Sequence, residues 1–278
     1  MNRAQRVVAA QETLAVIEQG FFIAPSGQKV WIDEQVRNAI VQSGLYAPED
    51  KIQLPEIWPQ ENTTVEVTPE TTLEATQRLY AAGIEDIYCL NFASANNPGG
   101  GFLGGSQAQE ESLARSSALY PCLMQHQQMY EFNRLRKTML YSDYMIYAPA
   151  VPVFRDDEGC FLEKVYPVSF ITAPAVNMGA LLRNTPHALS QAGEVLRHRL
   201  ERILQIALQH GHSSLILGAW GCGVFANQAH DIAQLFKTFL GPYGSYSQVF
   251  KHIVYAVYDT AADRNTYSAF KQLLSPSV

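Results

Sequence analysis

The stretch from Ile87 to Tyr120 constrains this chain more than any other. It opens as a strand: Ile87, Cys89, Leu90 and Phe92 follow the breaker Gly83. It breaks at Ala95-Asn-Asn-Pro, a turn cluster. Five glycines follow within seven positions, from Gly99 to Gly105. Glycine lets a backbone come close to a ligand and reach positive φ. A polar run, Ser106-Gln-Ala-Gln-Glu-Glu, then leads into the helical pattern Leu113-Ala-Arg-Ser-Ser-Ala-Leu. A strand thus delivers a glycine loop, and the loop delivers Glu110 and Glu111 to a helix start.

Local sequence leaves several readings of this stretch. An acidic first helical turn accounts for the carboxylates alone, because acids favour helix N-termini. A phosphate-gripping P-loop does not fit, since no Gly-Lys-Ser/Thr follows the glycines. A G-x-G-x-x-G dinucleotide template fits only loosely, inside Gly99–Gly104. A glycosidic site, with a carboxylate beside a ligand-hugging loop, also fits.

Gly99-Gly100-Gly101, seven residues, then Gln109-Glu110-Glu111 resembles the signature of poly(ADP-ribose) glycohydrolases, and the longer form Asn-Pro-Gly-Gly-Gly-Phe-Leu-Gly-Gly-Ser-Gln-Ala-Gln-Glu-Glu resembles their compact bacterial-type branch. A glycine triplet alone is weak; triplet plus spaced Gln-Glu-Glu is specific. Arg6-Val-Val-Ala-Ala-Gln-Glu-Thr-Leu, Phe92-Ala-Ser-Ala-Asn-Asn-Pro, Val151-Pro-Val-Phe-Arg-Asp-Asp and Ser169-Phe-Ile-Thr-Ala-Pro-Ala extend the resemblance over most of the chain. It implies a macrodomain-like three-layer α/β/α sandwich with a mixed sheet and an N-terminal helical extension.

The rest of the chain is consistent with that class. Residues 3–19 have the apolar spacing of an amphipathic helix ended by Gly20, and Phe21–Ile23 and Lys29–Trp31 are short extended pieces. A second helix begins at Asp33 and stops at Gly44. Residues 46–62 are rich in Pro and acids and read as a linker. The expected division is therefore an N-terminal helical accessory region, 1–62, packed on a macrodomain-like catalytic domain, 63–278. Thr63–Val67 reads as a strand, followed by a helix capped by Thr68 with Pro69 at its first position. Residues 121–142 read as helical and Tyr144–Pro149 as a strand. Residues 151–163 look like a hairpin turning at Asp157-Glu-Gly. Val168–Ala173 is a strand, and Asn177–Leu182 an irregular connection. Gln191–His210 is a long helix, and Ser214–Leu217 a central strand. Ala229–Leu240, Phe250–Tyr258 and Thr266–Leu274 complete a helix–strand–helix ending. Strands alternating with helices give an α/β sandwich with a largely parallel sheet, whose ligands bind at the carboxyl ends of the strands.

A second glycine loop, Gly221-Cys-Gly-Val-Phe-Ala-Asn, also lies between a strand and a helix. Its N–H groups and the helix N-terminus make an anion site, although an ordinary strand-to-helix turn needs glycine too. The resemblance places a diphosphate there, with Gly221, Cys222, Gly223 and Val224 as backbone donors and Phe225 packed on the distal ribose. It also makes Glu111 the general acid/base and Glu110 the holder of the ribose hydroxyls. Adjacent residues on regular structure cannot point the same way, so two jobs are expected. Glu111 would protonate the glycosidic 2′-oxygen as the C1″–O bond breaks, then take a proton from water. A partly dry site beside a diphosphate should raise the acid's pKa. Asn97 would orient the distal ribose, although turn asparagines are common. Gly99, Gly100, Gly101 and Gln109 complete the expected substrate contacts. For adenine, Glu70-Thr71-Thr72 and Tyr258-Asp259 are the candidates.

The formal net charge is −6 with no basic tract, which argues against DNA as a direct partner. Four scattered cysteines form no C-x-x-C pair, and His126 and His198 sit on helices without paired spacing, so no metal or cofactor is expected. No signal peptide or run of ~18 apolar residues is seen, which excludes a membrane partner and places the chain in the cytoplasm by expectation. The implied activity is hydrolysis of poly(ADP-ribose), or of ADP-ribosylated proteins carrying it, with ADP-ribose as product. The accessory domain of the larger animal enzymes has no counterpart here, which favours trimming from the chain terminus. A hydrolase of another ADP-ribosyl derivative, such as a mono-ADP-ribosyl adduct, and a non-catalytic ADP-ribose reader are the alternatives. The intact Gln-Glu-Glu argues against a reader, because binding alone does not need Glu111.

Overall fold

The computed structural model describes residues 1–136 and 138–275. Helix α1 (Arg3–Gln19) opens the chain under a capping box: Asn2 Oδ1 accepts the Gln5 N–H at 3.0 Å, and the Gln5 side chain accepts the Asn2 N–H at 2.7 Å. Strands β1 (Phe21–Ile23) and β2 (Lys29–Trp31) pair antiparallel, and α2 (Asp33–Gln42) leads to β3 (Gly44–Tyr46). Then follow β4 (Thr64–Thr68), α3 (Thr72–Ala81), β5 (Ile87–Phe92), α4 (Gln109–Ser116), α5 (Leu119–Met124) and α6 (Gln127–Leu135). The chain ends with β6 (Met145–Arg155), β7 (Phe161–Ala173), α7 (Met178–Asn184), α8 (Ala192–Gln209), β8 (Ser214–Gly218), α9 (Ala229–Leu240), β9 (His252–Ala256) and α10 (Asn265–Leu274).

Seven strands form one mixed sheet in the order β3-β6-β7-β5-β8-β9-β4. β7, β5, β8, β9 and β4 run parallel; β6 and β3 are antiparallel to their neighbours. The two-residue period of β5 sends Tyr88 and Leu90 to one face, against α8, α9 and α10. Ile87 and Cys89 face the other side, against α2, α3, α5 and α6. Both faces are therefore dry and covered by helices, which makes the three-layer α/β/α sandwich.

Several boundaries differ from expectation: β7 begins at Phe161 rather than Val168, β9 is shorter at both ends, and Gly44 opens the strand β3. Thr68 stays in β4, opposite Ala256, and α3 begins three residues later. Thr71 is the cap because Glu74 stands three residues on and closes a capping box, at 3.1 and 2.8 Å. Asn177–Leu182 is not irregular: Asn177 Oδ1 accepts the Ala180 N–H at 3.0 Å and starts α7. β6 does not stop at Pro149 but continues to Arg155, because a register shift between Ala148 and Val151 absorbs the proline's missing N–H. The helix expected over 121–142 is two short helices ending at Leu135; residue 137, within that span, lies outside the described residues. Among the described residues no helix is long and apolar enough to cross a membrane.

Candidate active site

β5 and β8 are neighbours, so the two glycine loops leave the same end of the sheet side by side. With the start of α3 and the chain after β9 they enclose a cavity of about 740 Å³.

The first loop is shaped by its own backbone. The Asn97 carbonyl accepts the Gly100 N–H at 3.0 Å, and the Gly101 carbonyl accepts from Gly104 at 3.0 Å and Ser106 at 3.1 Å. Gly100 has φ 59°, and a Cβ there would strike Oε1 of Glu111. This close approach is why the loop needs glycine facing the carboxylate. Gln109 opens α4, and its amide is held by three protein groups. Its Oε1 accepts the Phe92 N–H at 2.8 Å, and its Nε2 donates to the Leu90 carbonyl at 2.8 Å and to Thr72 Oγ1 at 3.2 Å.

Glu110 and Glu111 follow in the first turn and diverge. Glu110 is 2% exposed. Its Oε2 accepts the Ser94 N–H at 2.6 Å and its Oε1 accepts Asn91 Nδ2 at 3.2 Å. Burial pushes its carboxyl up to about 8, against the pull of these donors; the Glu111 charge adds to the rise. Glu111 is half-buried on the cavity wall, and its Oε1 accepts the Gly101 N–H at 3.0 Å. Both carboxyls thus border the cavity, Glu110 almost wholly buried and Glu111 half-buried.

In the second loop, Gly221 has φ 73° and lies against Ala175 and Asn227, where no Cβ fits. Asn227 is buried and anchors the loop, donating from Nδ2 to the Val176 carbonyl at 2.8 Å and the Gly221 carbonyl at 3.0 Å. The Cys222 N–H is already given to the Ala219 carbonyl at 3.0 Å. The N–H groups of Gly221, Gly223, Val224 and Phe225 take no acceptor among the described residues. Burial pushes the Cys222 thiol up to about 12. Phe225 is half-buried, with its ring 5.8 Å from that of Tyr141.

The cavity wall brings together Glu110, Glu111, Gln109 and residues 221–225 from the expected set. Gly99, Gly100 and Gly101 shape the wall from behind. Asn97 is exposed and off the lining. Of the adenine candidates, Thr71, Thr72, Tyr258 and Asp259 line the cavity. Glu70 instead chelates Arg78 at 2.8 and 2.9 Å. Both Asp259 oxygens cap the chain that enters α10, accepting the N–H of Ala261, Thr266 and Tyr267. Tyr258 stands exposed at the rim.

Of the two loop glutamines that the sequence offers as possible hydrogen-bonding site members, Gln107 and Gln109, both line the cavity. Several other residues at this site were not nominated by the sequence. Asn91 is one; a lone amide inside an apolar strand was its only signal. Asp157, at the tip of the β6–β7 hairpin, accepts hydroxyls from Thr71 at 2.5 Å and Ser112 at 2.8 Å, and burial pushes its carboxyl upward. Arg6 stands on the same wall and Arg115 directly behind it, donating to Gln107, and no spacing rule links residue 6 to this site. Among the described residues no group of three or more His, Cys, Asp or Glu side chains could hold a metal ion.

The family model described as "Microbial-type PARG, catalytic domain" matches residues 10–156. Solved structures are similar over nearly the whole chain. Poly(ADP-ribose) glycohydrolase from Thermomonospora curvata, bound to the inhibitor ADP-HPD, is 45% identical with a TM-score of 0.91, covering 97% of this chain and 99% of that one. Another structure of the Thermomonospora curvata protein is 44% identical with a TM-score of 0.92, covering 98% and 100%. The Deinococcus radiodurans protein in complex with ADP-ribose is 40% identical with a TM-score of 0.78, covering 85% and 96%. No curated protein sequence matches the chain.

Proposed function

This chain belongs to the microbial-type poly(ADP-ribose) glycohydrolase family, and from that premise we propose that it hydrolyses the ribose–ribose O-glycosidic bond of poly(ADP-ribose) from the chain terminus, releasing ADP-ribose. The observation that carries this reading is the divergence of two adjacent carboxyls on one cavity wall: Glu111 half-buried, Glu110 almost wholly buried with both oxygens held by protein donors.

Glu111 is the general acid/base. Protonated, it gives its proton to the 2′-oxygen that bridges to the preceding unit as the C1″–O bond breaks. The oxocarbenium-like centre is then attacked by water, and the ionised Glu111 takes that water's proton. Glycosidases of the two-carboxylate type divide these tasks between separated acids. Glu110 is engaged otherwise, since both its oxygens already accept protein N–H groups and it is only 2% exposed. A carboxyl held near pKa 8 is largely protonated at neutral pH and can donate to a ribose hydroxyl. The second loop offers the N–H groups of Gly223 and Val224 to a diphosphate, and Phe225 packs on the distal ribose. The exposed ring of Tyr258 serves the adenine.

Action from the terminus is favoured by the cavity's size. About 740 Å³ is of the order of a site for one ligand-sized unit, which leaves the rest of a polymer at or beyond its rim. The test uses automodified poly(ADP-ribose), with products separated by chromatography. The expected product is free ADP-ribose from the earliest time points; oligomers at those times would refute terminal action. Glu111→Gln should keep ADP-ribose affinity and lose about 10² to 10⁴ in turnover. Turnover that survives the substitution removes Glu111 from the acid/base role.

A further inference from the structure

A glycosidic acid stands at the junction of two units. The second glycine loop takes the unit on one side of Glu111; the groups on its other side face the unit that leaves. That side is formed by α1 and by the segment joining the first glycine loop to α4. It holds donors without ion pairs. Arg6 lines the cavity half-buried. Its Nε donates to the Gly105 carbonyl at 2.8 Å and its Nη1 to the Met1 carbonyl at 2.8 Å, both neutral acceptors. Its Nη2 has no partner among the described residues. Arg115, one helical turn after Glu111, is 2% exposed. Its Nη1 donates to the Ser106 carbonyl at 2.8 Å and its Nη2 to Gln107 Oε1, while its Nε is buried without a partner.

We propose that Arg6 and Gln107, the latter set by buried Arg115, grip the leaving unit of the polymer through a phosphate oxygen of that unit's diphosphate. The inference rests on the glycohydrolase reading and adds a second subsite to it. A guanidinium has only donors, so Gln107 must turn its amide oxygen to Arg115. Its NH2 group then faces the cavity wall that Gln107 lines. Arg6 and Gln107 together present donors and no acceptor, the pattern an anion requires. The carboxylates on this wall are already engaged: Asp157 by two hydroxyls, Glu158 by the Met1 amine at 3.7 Å, and Glu111 by the Gly101 N–H. Among the described residues Arg115 has no carboxylate within ion-pair distance, although the Glu111 and Asp157 charges act on it; Arg6, held only by carbonyls, is the cation left to meet an anionic ligand at the wall.

The experiment compares two substrates on one enzyme preparation: poly(ADP-ribose), and ADP-ribose α-linked at C1″ to a nitrophenyl group, whose leaving group has no diphosphate. Because the ratio of kcat/KM for the two is taken on the same sample, a partly misfolded variant does not distort it. Arg6→Ala should lower that ratio about 10- to 100-fold, the range for a hydrogen bond to a charged group. The loss should sit in KM for the polymer. Arg6→Lys should restore much of it, and Gln107→Leu should lower the ratio in the same sense. A ratio unchanged in Arg6→Ala overturns the subsite, whether both substrates suffer equally or neither does. Weakened binding of free ADP-ribose by Arg6→Ala also overturns it, since the cation would then serve the terminal unit. A wild-type protein that cleaves neither substrate overturns the glycohydrolase reading itself.

Discussion

Glu110 is a carboxyl that the fold keeps from water, and its ionisation is coupled to stability. Its folded pKa lies near 8 against an ordinary 4.5, so the native state holds a proton that the unfolded chain gives up. Between those values the folded state binds more protons than the unfolded one, and stability falls as pH rises from about 4.5 to about 8. The size of the fall is on the order of a few kcal/mol. Glu110→Gln is neutral throughout and should remove that slope. Its new amide N–H needs an acceptor, and Asn91 can supply one by turning its Oδ1, which is buried without a partner. Urea denaturation at pH 5, 6, 7 and 8 checks this: the variant should gain on the wild type as pH rises, and parallel curves would rule it out. The sequence alone showed that Glu110 and Glu111 must diverge, because neighbours on a helix point apart. It did not show which one is buried. That depends on Asn91 and Ser94, which only the turn at the end of β5 brings under the helix.

α4 is set in place by a side chain that acts as a strand. On the β8 side, the β5 ladder stops at Cys89. Beyond it, the Gln109 amide takes the Leu90 carbonyl and the Phe92 N–H, both at 2.8 Å, and so fixes the first turn where Glu110 and Glu111 sit. Gln109→Leu leaves one backbone donor and one acceptor unpaired in a half-buried place. It should cost about 1–3 kcal/mol by urea denaturation and lower turnover more than ADP-ribose affinity. Unchanged stability would show that the staple is dispensable. Elements with strong local signals were legible to within a residue. α1 has its glycine stop, although its buried face is Ala9, Ala10, Thr13 and Val16 and Val8, expected on the apolar stripe, is exposed; β1 and β2 are bounded by turns. α3 was misplaced because two threonines compete for its cap and only Thr71 has a glutamate three residues on. α7 was missed because seven residues carry too little periodicity. Yet α7 matters to the site: the Gly179 N–H at its start donates to the Phe225 carbonyl at 3.1 Å.

At the scale of the whole molecule, we propose that residues 1–62 and 63–278 fold as one unit, although the acidic, proline-rich stretch between them reads as a linker. β3 pairs with β6 and so covers one edge of the sheet. Thr13 Oγ1 donates to the Arg115 carbonyl at 2.5 Å. Glu12 pairs with Arg155 at 2.9 Å, and that arginine is 2% exposed. Arg202 donates to the carbonyls of Ala47 at 2.8 Å and Asp50 at 3.1 Å. Removing residues 1–62 would leave Arg155 without its carboxylate, strip two acceptors from Arg202 and bare the edge of β6. A buried charge that loses its partner costs about 3–5 kcal/mol, comparable with the total stability of a marginal domain. An uncovered strand edge also invites association. The isolated 63–278 chain should therefore lack a cooperative thermal transition and aggregate, even though it carries both glycine loops and both carboxyls. A sharp, reversible melt of that fragment, together with ADP-ribose binding, would show instead that the N-terminal region is an accessory added to an independent fold. The sequence could not decide between these outcomes: composition marks where a chain is irregular, but not whether the segments on either side share a core.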